Sequence, residues 1–230
     1  MTKRLAMTLG LTMFGLSSCA GVPPPGSLDS QSAALGIYVK LKAPVGPFSN
    51  YPDRVYFVRM DKEEDIYTPS EIVRSNYVKG DYVYLLNAAP GRYAAVASFR
   101  ELRTQQGGRT TYTTLFSEEL IKHTQTVVVS EAMAFMGEYV LDTSPRMDEA
   151  DSAQIKYFHV MAPNAVLGGV GASILNIMTE GEVYHKGMLK EAHKDTQAEK
   201  NFLVTSADSF KGTGWGEMIQ RRLGDLKTRP

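Results

Sequence analysis

The sequence predicts a mainly β protein, an antiparallel β-sandwich of about seven or eight strands with one or two C-terminal α-helices. Three observations predict it. Short runs rich in Val, Tyr, Phe and Thr alternate apolar with polar residues at period two, the mark of half-buried strands. Turn-forming residues separate those runs at short intervals, as in sandwiches. Between Leu35 and Met161 no run of ten or more residues repeats at helical spacing, so the strand–helix alternation of a parallel sheet is absent; helical spacing appears only near the C-terminus.

The first strand starts at Leu35, with Leu35, Ile37, Val39 and Leu41 on one face and Tyr38, Lys40 and Lys42 on the other. Similar runs cover 54–60, 82–86, 93–99, 111–116, 124–129, 134–141 and 155–161. Between two of them stands Ala89-Pro90-Gly91-Arg92, where Pro fixes φ at the second turn position and Gly supplies positive φ at the third, the signature of a type II turn. Residues 160–179 carry no charge, but Pro163, Asn164, Asn176 and three glycines make them a poor membrane span and suit a loop leading into a buried segment. Farther on, Thr196 and Glu199 have capping-box spacing, and Ala198, Phe202, Leu203, Ala207 and Phe210 recur every three or four residues until Lys211-Gly212. A second short helix fits 217–226, with Met218, Ile219, Leu223 and Leu226 inward.

The stretch YLLNAAPGRYAAVAS, residues 84–98, resembles the strand-PGxY-strand element of transthyretin-like and carboxypeptidase-regulatory-like β-sandwiches. The resemblance covers one hairpin and implies a structural element without catalytic residues.

The N-terminus has the parts of a secretory leader: Lys3 and Arg4, then an apolar stretch from Leu5 to Leu16, too short to span a bilayer, then small residues. It ends in Leu16-Ser17-Ser18-Cys19, which contains the only cysteine and resembles the lipobox of bacterial lipoproteins. That family implies a diacylglyceryl thioether on Cys19, cleavage after Ser18 and a further acyl chain on the new amino group. Each buried methylene contributes about 0.8 kcal/mol, and one chain binds only marginally, so several make a stable anchor. The resulting organisation is a signal peptide at 1–18, a lipidated tether at 19–34, a β-sandwich domain at 35–161 and a C-terminal loop and helical extension at 162–230 packed on the sandwich. The Pro, Gly and Ser of the tether, with Pro23-Pro24-Pro25 favouring an extended course, suit a spacer. Ala20 after the cysteine, where enterobacterial lipoproteins retained at the inner membrane carry Asp, favours the outer membrane in a host that has one.

Loss of Lys3 and Arg4 leaves 23 basic against 25 acidic side chains, a formal −2, which argues against a nucleic-acid partner. With Cys19 acylated no thiol remains to pair, so stability must come from packing. Motifs for chemistry are weak. Gly168-Gly169-Val170-Gly171 lacks the third glycine of a dinucleotide loop, since Ile174 stands there, and no Lys-Ser/Thr pair follows. His185 and His193 lie eight apart, on one face of a helix if 182–194 is helical, without the converging ligands a metal needs. His159 alternates with Ile155 and Tyr157 on a strand, and His123 closes an acidic-basic turn after Glu118-Glu119. Asp142, Asp148, Glu149 and Asp151 share a loop that lacks the ligand alternation and central Gly of a calcium site, and Asp61, Glu63, Glu64 and Asp65 read as a solvated turn. Asp81 with Glu71 is a carboxylate pair of the kind that can flank a glycosidic bond.

No catalytic residue, metal site or cofactor is therefore assigned. Tyr51, Tyr56, Tyr67, Tyr77, Tyr82, Tyr84, Tyr93 and Tyr112 crowd the first half of the domain, where they fill the core or offer an aromatic surface to a protein or glycan partner. Trp215, between Gly214 and Gly216, either packs under the last helix or projects as an interaction anchor; packing is favoured because a large indole beside an amphipathic helix completes its core. The expected function is a lipid-anchored, non-catalytic interaction or structural module of the cell envelope; the alternative is a lipid-anchored hydrolase acting on envelope polymers.

Overall fold

A computed structural model describes residues 26, 32–42, 50–63, 66–103, 109–149, 151–152 and 182–228. The protein is mainly β, and its strands form one curled half-barrel sheet. They are β1 (Ala33–Lys42), β2 (Arg54–Glu63), β3 (Ile66–Arg74), β4 (Tyr77–Lys79), β5 (Tyr82–Ala88), β6 (Gly91–Arg103), β7 (Arg109–Phe116), β8 (Thr126–Val128), β9 (Met133–Ser144) and β10 (Glu182–His193). The helices are α1 (Glu118–Thr124), α2 (Thr196–Ser209) and α3 (Gly214–Thr228). The strand order is β3-β2-β6-β7-β10-β9-β1-β5-β4, with β8 added to β6.

Two features differ from the expected antiparallel sandwich of seven or eight strands. Nine of the ten described strands lie on one hydrogen-bonded path, with β8 joined to β6 beside it, and β1 with β9 and β7 with β10 run parallel. Period-two alternation fixes which face a side chain takes but neither its strand's partner nor its direction. Parallel neighbours need a long crossover, and here β2 to β8 supply one between β1 and β9. β10 was not expected; it comes from the segment read as loop and helix, and it inserts between β7 and β9.

Alternation along β1 matches its reading. Leu35, Ile37, Val39 and Leu41 point into the concave core with Val55, Phe57, Val83, Leu85, Tyr93, Phe116, Tyr139 and Leu141. On β9 a register shift opposite Ile37 switches faces: Met133 and Phe135 point outward, whereas Met136, Tyr139 and Leu141 point inward. Gly137 permits this shift with φ 121°, and a Cβ there would lie 2.5 Å from the Tyr139 hydroxyl. That phenol is fully buried, with the carbonyls of Met136 and His123 at 2.7 and 3.0 Å to accept from it.

The outer face of β1, β4, β5 and β9 is covered by α2 and α3. Asp195 caps α2 by accepting from Ala198 N–H at 2.8 Å, one residue before the expected Thr196 cap, and Glu199 is released from capping. Ala198, Phe202, Leu203, Phe210, Trp215 and Ile219 pack on Tyr77, Tyr82, Tyr84, Leu86 and Phe135. The sheet leaves a hole for the helix at Gly36, where a Cβ would meet the Phe202 ring at 2.5 Å. Glycine is required there by the close approach of a ring.

β6 carries β8 along Gly91–Tyr93 and β7 along 97–103 of the same edge. α1 bulges between them, and Thr124 fills the gap by accepting from Ala95 N–H at 2.9 Å, so the edge keeps its hydrogen bonds. The Pro90-Gly91 turn is also corrected. β5 and β6 do not pair, so the turn crosses from one half of the sheet to the other, and Gly91 has φ 158° at the start of a strand. The expected positive φ at Gly91 is present, but it is far from the value of about +80° that a type II turn needs, and Asn87 also takes a positive φ, 59°. Tyr93 buries its ring and donates to Ala89 O at 2.8 Å, the tyrosine-corner arrangement seen where sandwich strands change sheets.

Candidate binding groove

Three consecutive valines make the site. In a strand they cannot all face the core, and Val128 takes the inward position while Val127 and Val129 are each 58% exposed. Beside them a groove of about 320 Å3 is floored by Ala132, Met133, Ala134 and Phe135 from the start of β9 and bordered by Thr126, Lys194, Glu199 and Arg222. β9 presents these residues because Ser32, just before β1, and Ala34 within it hold the preceding turn, through Glu131 N–H to Ser32 O and Ala34 N–H to Ala132 O, both 2.9 Å.

The charged side chains on the rim are engaged with the protein. Lys194 Nζ donates to His123 O, Gln125 O and Thr126 Oγ1 at 3.1, 2.7 and 3.0 Å, closing the C-terminal end of α1; desolvation lowers its pKa. Arg222 donates to Glu199 Oε1 from Nη2 and Nε at 2.7 and 2.9 Å, tying α3 to α2. An arrangement of this kind offers apolar contact bordered by one neutralised pair, Arg222–Glu199, and by an ammonium hydrogen-bonded to neutral oxygens. Among the described residues the charged groups of the rim are all hydrogen-bonded within the protein, and none is a base aimed at a nucleophile.

The other expected residues are scattered. Trp215, in the first turn of α3, is fully buried, as the favoured packing reading expects. His185 lies on β10, half-buried, with its ring 6.0 Å from that of Tyr112; burial lowers its pKa, which favours the neutral imidazole at pH 7. His193 is exposed at the end of the same strand, because 182–193 is strand and not helix. His123 is exposed on α1, and its carbonyl is the group in use.

The loop carboxylates are structural rather than simply solvated. Asp148 and Asp151 each accept the other's backbone N–H at 2.9 Å, and Lys186 bridges both at 3.0 Å. These bonds lower the pKa of Asp148, the Asp151 N–H first, and raise that of Lys186. Asp142 pairs with Lys190 at 3.4 Å, and exposed Asp61 pairs with Arg59 at 3.3 Å. Glu71 on β3 and Asp81 in the turn between β4 and β5 belong to opposite ends of the sheet path, so they are not strand neighbours.

Among the tyrosines, Tyr56, Tyr77, Tyr82, Tyr84 and Tyr93 are buried, as the core-filling reading expects, while Tyr51 and Tyr112 are half-exposed. Leu16, Ser17, Ser18, Cys19, His159, the 155–161 run and the 168–173 glycines lie outside the described residues, as does the side chain of Tyr67.

Sequence reasoning missed Val127 and Val129 as a surface. Their signal was present, since a three-valine run beside Ser130-Glu131 must turn some of its side chains outward at a strand end. Compared with known proteins, the chain matches no family model, no curated protein and no solved structure.

Proposed function

We propose that the chain is a lipid-anchored cell-envelope protein, held through acyl chains on Cys19, that works as a non-catalytic interaction or structural module. Its contact surface is the groove beside Val127 and Val129. One observation carries this reading: the groove combines exposed apolar side chains with charges already satisfied by the protein. Apolar patches rimmed by polar residues mark interaction sites. In a host with two membranes the residence is the outer one.

The hydrolase alternative has a single supporting feature, the half-buried imidazole of His185 beside Tyr112. The two readings separate in a strain lacking the gene. Val127→Asp or Val129→Asp should abolish complementation at normal protein levels, and His185→Ala should preserve it. Loss of complementation by His185→Ala with an intact fold would reverse the choice.

A further inference from the structure

The tether does not leave the domain at an arbitrary point. Asn87 Nδ2 donates to Gly26 O at 3.1 Å, so the chain is held to the end of β5 well before β1 begins. Six residues then separate Gly26 from Cys19, three of them proline. Seven Cα steps span at most about 25 Å even when fully extended. An acyl anchor on Cys19 therefore keeps the Asn87 end of the domain close to the lipid.

That end also carries the groove. Ala88 pairs with Ala33, Ser32 O is bonded by Glu131 N–H, and Gly91 pairs with Val128, so the ends of β5, β8 and β9 nearest the tether sit together. Val127 and Val129 are exposed there. The turn at Gly80-Asp81 lies at the other end of β5, about 23 Å away for seven strand residues.

We propose that the occupant of this apolar surface is the bilayer itself: the domain lies with Val127, Val129 and the groove against the lipid in which Cys19 is anchored. The proposal rests on the lipoprotein reading above. Two partly exposed valines cannot hold a soluble protein on a membrane, since even full burial of a valine contributes only ~1.5–3 kcal/mol. Tethering changes that, because a linked contact forms at high effective concentration and a weak patch is enough to set orientation. The rim charges fit the same role. Glu199 and Arg222 form an ion pair and the Lys194 ammonium is held by three neutral oxygens of the protein, so docking need break none of these contacts.

The test uses full-length acylated protein in phospholipid vesicles. With Cys19 acylated, an introduced cysteine is the sole free thiol, so an NBD fluorophore can be placed by Val129→Cys, Val127→Cys or Asp81→Cys, all at exposed positions. Nitroxide-labelled phospholipid should quench NBD at 127 and 129 several-fold more strongly than at 81. Even quenching at all three positions, or stronger quenching at 81, overturns the orientation. Cross-linking from 129 to another protein in intact envelopes, without quenching in vesicles, would assign the groove to that partner instead. Mass analysis of the same samples separates the two levels: acylated Cys19 with even quenching sinks only the orientation, whereas unacylated Cys19 sinks the anchor and the orientation together.

Discussion

The concave face of the sheet and the face beneath α2 and α3 share β1, β5 and β9, yet they are filled differently. The concave core is mostly aliphatic, with Leu35, Ile37, Val39, Val55, Val83 and Leu141 meeting one another as the sheet curls. The helix-covered face is a mesh of rings: Phe135 with Phe202 at 5.0 Å, Tyr82 with Phe202 at 5.1 Å, Tyr84 with Phe210 at 5.1 Å and Tyr77 with Phe210 at 5.3 Å. A curled sheet covers its inner face with its own strands. Its outer face needs a separate cover, and wide rings with hydroxyls at their edges suit a seam between sheet and helix. Tyr84 reaches Ser206 Oγ at 3.0 Å and Tyr82 donates to Glu138 at 2.6 Å. Damage to the inner face should therefore unfold the whole molecule, and damage to the outer face should first release the helices.

The largest effect tests the inner face. Gly137→Val forces a β-branched residue to φ 121° and drives its side chain into the Tyr139 phenol. Strain and overpacking together should cost about 4 kcal/mol, seen as loss of the whole cooperative unfolding transition. A melting temperature within a few degrees of wild type would show that the bulge at Gly137 is misplaced.

Next, Phe202→Ala removes the ring seated over Gly36 and should destabilise by about 3 kcal/mol. Here the two faces should part company: hydrogen exchange should quicken in α2 and α3 while β1, β5 and β9 stay protected. Equal loss of protection in both would show one indivisible core.

The smallest effect belongs to a single hydroxyl. Tyr84→Phe deletes the bond to Ser206 and should cost about 1 kcal/mol at neutral pH by denaturant titration. Burial raises the Tyr84 pKa to about 12, while its unfolded value is 10.0. Its contribution is whole below pH 10 and is lost as pH rises through about 12, because the unfolded chain ionises first. The substituted protein should thus lose less stability than wild type between those pH values. Parallel declines would contradict the burial of this phenol.

Legibility followed the same division. The face assignment of β1 was readable because Leu35, Ile37, Val39 and Leu41 alternate with polar or amphipathic residues. α2 was readable because Phe202, Leu203 and Phe210 repeat at helical spacing. β10 was not, since its core-facing positions include Gly187 and His185, and its strand character depends on β7 and β9 far away in sequence. β3 was hidden by Pro69, Ser70 and Glu71, residues an edge strand tolerates. α1 is only seven residues long, too short for periodicity, although Ser117 and the Glu118–Lys122 pair at 2.6 Å mark it. Most of the groove was illegible because Lys194, Glu199 and Arg222 reach it from separate elements. Only the valine run was local.

The membrane anchor stands or falls on Cys19. Intact mass spectrometry of the protein extracted from membranes should show a chain beginning at Cys19 and carrying a diacylglyceryl group, while Cys19→Ser should leave the membrane fraction and carry no lipid. A membrane-extracted chain that retains residues 1–18, or one with an unmodified Cys19 thiol, would contradict it.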